Sequence, residues 1–106
     1  MNEDTMRLQA QRARREFMRW VLLLAAEINR PVHSTTRFLL QVVQGEYPDA
    51  TELEIRRELD YLQSRELLKI TVDPLNQISV DLTRDGIDIV QYTVTCDAGI
   101  MRPPKV

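Results

Sequence analysis

The sequence predicts a mainly helical domain that carries a two-stranded β-hairpin. Two observations between Asp49 and Leu82 lead to this fold class. Ile55, Leu59 and Leu62 recur at steps of four and three residues, which places them on one face of a helix. Two runs of alternating apolar and polar residues then flank a turn. A helix followed in this way by a hairpin is the second half of a winged helix-turn-helix, whose hairpin is the wing.

A long helix is predicted at the start of the domain, from Met6 to Ile28, so the N-terminal helix of the winged helix is extended. Its apolar residues recur at steps of three or four and form one continuous stripe, made of Met6, Ala10, Ala13, Phe17, Val21, Leu24 and Ile28. Asp4 or Thr5 is expected to cap its start. Asn29-Arg30-Pro31 ends it, because the residue before a proline avoids helical backbone.

The two halves of this helix differ. Nearly every residue from Trp20 to Ala26 is apolar, which predicts burial on several sides. The first half has a thin stripe, in which small alanines let another backbone come close. A helix with too little partner surface in a small domain often finds it in a second subunit. We therefore predict a homodimer, with Met6, Ala10, Ala13 and Phe17 as candidate interface residues.

Two further helices and the hairpin follow. Ser34 is expected to cap the second helix and Gly45 to end it in a left-handed conformation. The third helix starts at Asp49 or Thr51, since each is followed three residues later by a glutamate, as in a capping box. Residues 68–72 and 78–82 are the predicted wing strands. They are joined by a type I turn at Asp73-Pro74.

A short last helix and a tail complete the chain. Thr83 is expected to cap the helix. Gly86 in its first turn predicts the close approach of another backbone, since glycine costs a helix about 1 kcal/mol relative to alanine. Residues 93–106 show no period and are assigned to a C-terminal tail, after a winged-helix domain of residues 1–92. Three apolar residues of the tail are candidates for docking on the body or on a partner: Val94, Ile100 and Met101.

Composition argues against several classes of function. The single Cys96 cannot form an internal disulfide, which fits a reducing cytoplasm, and with the lone His33 it makes a zinc site improbable. Phosphate-binding glycine loops, metal-ligand motifs and nucleophile–base arrangements are absent, so we expect no cofactor and no enzymatic activity. The polar N-terminus argues against a secretion signal, and the apolar run Trp20–Ala26 is too short to span a membrane.

Charge is unevenly distributed along the chain. The net charge is −2, but residues 1–30 carry six Arg against four acidic residues, whereas residues 31–66 carry four Arg against seven. The basic cluster of the first helix has three interpretations: a solvated face, a contact with DNA phosphates beside a dimer, or a contact with the acidic middle segment of another subunit. It consists of Arg7, Arg12, Arg14, Arg15 and Arg19, with Arg12, Arg15 and Arg19 expected opposite the apolar stripe.

The order of elements resembles winged-helix regulators of the ArsR, MarR and PadR kind, over about residues 20–92. The residues that carry this resemblance are Leu59-Asp60-Tyr61-Leu62, Glu66-Leu67-Leu68 and Leu82-Thr83-Arg84-Asp85-Gly86. The whole chain is also similar to a family of small winged-helix proteins of Mu-like phages and prophages. There the last helix is followed by a valine-rich segment and a terminal Arg-Pro, here Val94 and Arg102-Pro103. The glycine that this family has after the last helix is replaced by Tyr92 or Thr93. This resemblance implies a phage or prophage origin and the cytoplasm of a bacterial host.

The outer face of the third helix is the candidate DNA-reading surface. With Ile55, Leu59 and Leu62 inward, the residues expected outward are Leu53, Arg56, Arg57, Asp60, Tyr61 and Ser64. Four acidic residues against two arginines leave this helix at −2, which is unfavourable beside DNA phosphates. The candidate DNA-contacting residues over the whole chain are Arg37, Thr51, Arg56, Arg57, Ser64, Lys69, Arg12, Arg15 and Arg19.

Two functional hypotheses follow. The first is a dimeric phage winged-helix protein that binds double-stranded DNA, as a transcription regulator or in DNA handling. The second is a winged-helix module that binds a phage or host protein without DNA. It would use the outward Leu53 and Tyr61 and the first helix, with support from Glu54 and Glu58.

Overall fold

The computed structural model describes residues 2–106 and has a winged-helix fold. Three helices pack on one another, a β-hairpin follows the third, and a short helix closes the domain. In this range the elements are α1 (Glu3–Ile28), β1 (Ser34–Thr35), α2 (Thr36–Glu46), α3 (Glu52–Ser64), β2 (Leu68–Val72), β3 (Ile78–Leu82) and α4 (Arg84–Val90). The predicted fold class, mainly helical with a β-hairpin wing and an extended N-terminal helix, is confirmed.

The core confirms the inward face predicted for α3. Ile55, Leu59 and Leu62 are fully buried and pack with the apolar second half of α1. Burial of one such side chain contributes about 1.5–3 kcal/mol relative to its exposure to water. The three helices and the hairpin share this one core. Its other fully buried apolar members are Met18, Leu22, Leu23, Leu39, Val43, Leu68 and Val80.

Two of the predicted helix caps are confirmed. The Thr51 hydroxyl accepts a hydrogen bond from the Glu54 amide at 3.2 Å, which selects one of the two starts proposed for α3. The Thr83 hydroxyl accepts one from the Gly86 amide at 3.2 Å. Each cap provides a partner for an amide that has none within its own helix.

The caps predicted for the first two helices are wrong. Asn2, not Asp4 or Thr5, accepts the hydrogen bond from the Thr5 amide at the start of α1. Thr35, not Ser34, caps α2. Ser34 is buried instead in the short strand β1, and its hydroxyl accepts a hydrogen bond from the Asn29 side-chain amide. β1 was not predicted, because two residues are too few to show a period.

The ends of α3 and α4 use the left-handed conformation without glycine. Glu66 has φ 62° and Tyr92 has φ 61°. After α3, the Leu67 amide donates to the Leu62 carbonyl at 3.0 Å, which is the Schellman arrangement. The predicted left-handed end at Gly45 is wrong, since α2 runs through this residue to Glu46 and its φ is not positive.

The wing has the predicted alternation and turn. β3 lies between β1 and β2 in an antiparallel sheet, with Leu68 opposite Leu82 and Ile70 opposite Val80. In the turn, the Asn76 amide donates to the Asp73 carbonyl at 2.9 Å, as in the predicted type I turn. The wing is thus joined through β1 to the segment that precedes α2.

The first half of α1 extends away from the body. All side chains from Asn2 to Arg12 are exposed, including Met6 at 58% and Leu8 at 66%. Ten helical residues span about 15 Å, which fits the 48 Å length of a molecule only 24 Å thick. We call residues 3–12 the arm.

The C-terminal tail runs back along the helices. Ile100 is buried in the core, and the Met101 amide donates to the carbonyl of Glu16 in α1. Arg102 donates to the carbonyls of Ile89 and Val94 and stacks on the Tyr92 ring. The Arg-Pro end therefore anchors the tail at the end of α4.

The close approach predicted at Gly86 is confirmed. A Cβ atom built on Gly86 would collide with the backbone carbonyl oxygen of Leu67, which also accepts a hydrogen bond from the Thr83 amide. Gly45, by contrast, has open space around its Cα.

Replacement of Gly86 by alanine is therefore expected to lower the free energy of unfolding by about 1–3 kcal/mol, because backbone must move to admit the methyl group. Gly45→Ala is the matched control and should raise the free energy of unfolding by about 0.5–1 kcal/mol, since alanine is the better helix former. Urea unfolding midpoints of the two variants provide the measurement. Equal midpoints would contradict the close approach.

Candidate nucleic-acid interface

The outer face of α3 presents a mixed set of side chains. Arg57, Asp60 and Ser64 are exposed, and Leu53 is 70% exposed at the start of the helix. Arg56 is half-exposed, and its Nε lies 3.1 Å from an oxygen of Asp60 one turn later. The Ser64 hydroxyl donates to the Tyr61 carbonyl at 2.6 Å. The hydroxyl of Thr51 faces the first turn as its cap.

Glu58 and Tyr61 do not belong to this outer face. Glu58 is only 2% exposed, and its carboxylate accepts a hydrogen bond from Arg19 Nε at 2.8 Å. The Arg19 guanidinium lies 3.6 Å from the centre of the Tyr61 ring, in cation–π geometry. The same guanidinium donates to the carbonyl of Gly99 at 2.8 Å. The expectation that Tyr61 points outward is wrong, because this side chain is covered by Arg19.

These contacts also correct the role expected for Arg19. Its guanidinium binds α3 and the tail within the domain instead of lying on a solvent face opposite the apolar stripe. A buried carboxylate needs such a partner, since an unpaired charge away from water costs several kcal/mol. Arg19 is therefore not available as a DNA contact.

Arg14 makes the second link between α1 and α3. It donates to both carboxylate oxygens of Glu54, at 2.8 and 2.9 Å, and to Asp49 at 3.0 Å. These hydrogen bonds, with that of Glu54 the strongest, raise the pKa of Arg14 above its usual value. The guanidinium also lies 4.6 Å from the Tyr47 ring centre. Arg14 thus ties α1 to the turn before α3 as well as to α3 itself.

The ion pairs of Arg14 and Arg19 with α3 change the charge expected on the outer face of this helix. Of its four acidic residues, Glu54 and Glu58 face α1 and are paired with arginines. The remaining acidic residues, Glu52 and Asp60, are balanced on the exposed side by Arg56 and Arg57. The net charge of −2 inferred for the whole helix therefore overstates the negative charge of its outer face.

The other basic candidates lie on the surface of different elements. Within residues 2–106 no acidic side chain is in salt-bridge distance of the following five: Arg12, Arg15, Arg37, Arg57 and Lys69. Arg12 and Arg15 are on α1, and Lys69 is on the first wing strand. Arg37, at the start of α2, lines a cleft of about 360 Å³ together with Asn76 and Gln77 of the wing turn. Basic side chains without an acidic partner, spread over four elements, are suited to contacts with a polyanion.

His33 and Cys96 are of the residue types most often used in catalysis, and both make contacts within the fold. His33 Nδ1 lies 2.6 Å from an oxygen of the half-buried Asp81 on β3. Burial raises the pKa of the half-buried Cys96 thiol, which keeps it protonated at neutral pH. Across residues 2–106 no group of three or more His, Cys, Asp or Glu side chains is placed to hold a metal ion. None of the helices described for this chain is both long and apolar enough to cross a membrane.

Comparison with known proteins agrees on the architecture. No protein-family model matches the chain, and no curated protein sequence matches it. It is similar to the crystal structure of a "putative DNA-binding protein" from Ralstonia eutropha JMP134, with a TM-score of 0.57 and 20% sequence identity. The similarity covers 74% of this chain and 94% of that chain. Likeness at this level of identity bears on the fold alone, and it agrees with the arrangement of helices and strands described above.

The buried pair of Arg19 and Glu58 makes a testable prediction. Glu58→Ala leaves a guanidinium without its partner and is expected to lower the free energy of unfolding by about 3–5 kcal/mol. Replacement of both residues by Met and Leu should recover most of this loss, because no unpaired charge remains. Glu3→Ala, which breaks the exposed pair with Arg7, should cost about 1 kcal/mol or less. Chemical denaturation measures all three, and equal losses for Glu58→Ala and Glu3→Ala would contradict the assignment.

Proposed function

We propose that this protein binds double-stranded DNA, with α3 in the major groove and the wing and α1 beside the backbone. The observation that carries the proposal is the internal pairing of Glu54 and Glu58 with α1. It holds two of the four negative charges of α3 against α1, away from the outer face, where Arg57 and Ser64 are exposed and Arg56 is half-exposed. Arg and Ser side chains are suited to base edges in the major groove.

The remaining free cations support a backbone contact around α3. Lys69 is on the wing strand that follows α3, and Arg37 is at the start of α2 beside the wing turn. In helix-turn-helix proteins these two regions flank the helix that enters the groove. Since the chain is acidic overall, this local arrangement of cations, rather than net charge, would have to supply the affinity.

The resemblance to proteins of Mu-like phages leads to a finer proposal. We infer that the protein comes from a phage or prophage and acts in the cytoplasm of the bacterial host, in transcription regulation or DNA handling. The left-handed conformation of Tyr92 supports this, because it occupies the place where that family has a glycine. The anchored Arg102-Pro103 agrees with the family's terminal Arg-Pro.

We also propose a homodimer formed along α1. The stripe of Met6, Ala10, Ala13 and Phe17 continues through Val21 and Leu24, which are only half-buried, to Ile28, which is 72% exposed. Exposed or half-buried apolar residues thus recur along α1, although Phe17, Val21 and Leu24 also pack partly against the core. A second copy with the same stripe would cover it in a two-fold arrangement.

The dimer is tested by Ala10→Glu, with Gln9→Glu as its control. Both residues are exposed on the arm, and both changes add one negative charge, but only Ala10 lies on the stripe. Sedimentation equilibrium at micromolar concentration should give the dimer mass for the wild type and for Gln9→Glu and the monomer mass for Ala10→Glu. A monomeric wild type would contradict the proposal.

DNA binding is tested with a duplex selected from a random library at low salt. The affinity should fall steeply as salt rises, because bound phosphates release counterions on complex formation. Arg56→Ala and Arg57→Ala should each weaken binding by about tenfold or more, which corresponds to loss of one charged contact with DNA. Arg84→Ala on α4 removes the same charge from a side chain that is 87% exposed and should have little effect. Failure to select any duplex would overturn the proposal.

The alternative is a protein-binding module without DNA contact. The exposure of Leu53 on α3 and of Met6 and Leu8 on the arm favours it, since such residues anchor protein interfaces when they cluster. Tyr61 and the carboxylates of Glu54 and Glu58, which this hypothesis used, are engaged within the domain. The alternative would be preferred if no duplex is selected while the dimer forms.

A further inference from the structure

A cleft of about 320 Å³ separates the first part of α1 from α3. Two ion pairs join its walls, that of Arg14 with Glu54 and that of Arg19 with Glu58, and all of these residues except Arg19 line the cleft. The residues that line the cleft are Gln11, Arg14, Arg15, Glu54, Arg57 and Glu58.

Two arginines in this cleft have no partner of their own. Arg15 on α1 and Arg57 on α3 are both exposed, and neither is within salt-bridge distance of an acidic side chain in residues 2–106. The two glutamates of the cleft are already occupied by Arg14 and Arg19. The cleft therefore carries an excess of positive charge, with one free guanidinium from each wall.

We propose that this cleft binds one phosphate group of the DNA backbone, held between Arg15 and Arg57 with the Gln11 amide as a neutral donor. The planar guanidinium donates two parallel hydrogen bonds to phosphate, which makes arginine the preferred side chain for such a group. The inference rests on the proposed function. It specifies that the backbone of a DNA strand in contact with α3 passes over α1 at this cleft.

These two ion pairs make the cleft a preformed site. Arg14 joins α1 to α3 through two hydrogen bonds to Glu54, and Arg19 joins them again through the buried Glu58. The two walls are therefore held in fixed relation before DNA arrives. A site that needs no rearrangement retains more of its interaction energy as affinity.

The test compares Arg15→Gln, Arg57→Gln and Arg84→Gln on the selected duplex. Arg84 is the control, because it is an arginine on α4 whose side chain is 87% exposed and which does not line the cleft. Arg15→Gln and Arg57→Gln should each weaken binding by about tenfold, the effect of one lost charged hydrogen-bond pair. Arg84→Gln should weaken it by less than about twofold, as expected for an exposed charge that makes no DNA contact. Because both cleft residues hold the same phosphate, the double variant should lose less than the product of the single losses.

Three results would overturn the inference. Equal effects of Arg84→Gln and Arg15→Gln would leave DNA binding intact and remove the cleft from it. Fully multiplicative losses in the double variant would show that the two arginines hold separate groups. Stabilisation of the wild type by inorganic phosphate, lost in Arg15→Gln and Arg57→Gln but without binding to any duplex, would replace the DNA backbone by a free anion. Unfolding midpoints in urea should be unchanged in all variants, since none of these side chains is in the core.

Discussion

The pairing of charge between α1 and α3 is the interaction on which the rest of this structure depends. Arg14 and Arg19 each bind a glutamate of α3 while also contacting a tyrosine ring. The pairs tie the long helix to α3, and further hydrogen bonds of the same arginines reach Asp49 in the turn before α3 and the Gly99 carbonyl in the tail. They also divide α3 into a side neutralised within the domain and a side open to a partner. The same four side chains thus link stability to the proposed binding of DNA.

The turns at the ends of α3 and α4 set the directions in which the wing and the tail leave these helices. Glu66 and Tyr92 both take a left-handed conformation that glycine usually supplies, so each turn must be held by its surroundings. At Tyr92 the hydroxyl donates to the Pro103 carbonyl, and the ring lies edge-on to Trp20 and beneath Arg102. Contacts made by the tail therefore help to hold the exit from α4. This explains how a large aromatic residue can hold a left-handed position that glycine usually takes.

Much of the fold followed from the sequence, because its signals were local. The spacing of Ile55, Leu59 and Leu62, the alternation of the wing and the glycine at position 86 each reflect a short-range requirement that the structure confirms. The strand β1 could not be found in this way, since its two residues depend on pairing with distant β3. The end of α2 was also mispredicted, because a glycine near a helix end can be tolerated within it.

The candidate site was less predictable, because ion-pair partners about 40 residues apart leave no period in the sequence. A signal was nevertheless present in the positive excess of residues 1–30 and the negative excess of residues 31–66. Assigning these charges to an exposed face or to another subunit was one reasonable interpretation, but Arg14 and Arg19 find their partners within the same chain. Only the packing of α1 on α3 shows that Arg14 and Arg19 are paired, whereas Arg15 and Arg57 are not.

Nitrogen-15 NMR of the arginine Nε–Hε groups tests this division most directly. In the free protein, Arg14 and Arg19 should give signals protected from exchange, because their Nε–H groups donate to Glu54 and Glu58. These signals should stay in place when duplex DNA is added, while those of Arg15 and Arg57 shift or become protected. Movement of the Arg14 and Arg19 signals on DNA binding, with those of Arg15 and Arg57 unchanged, would contradict the account.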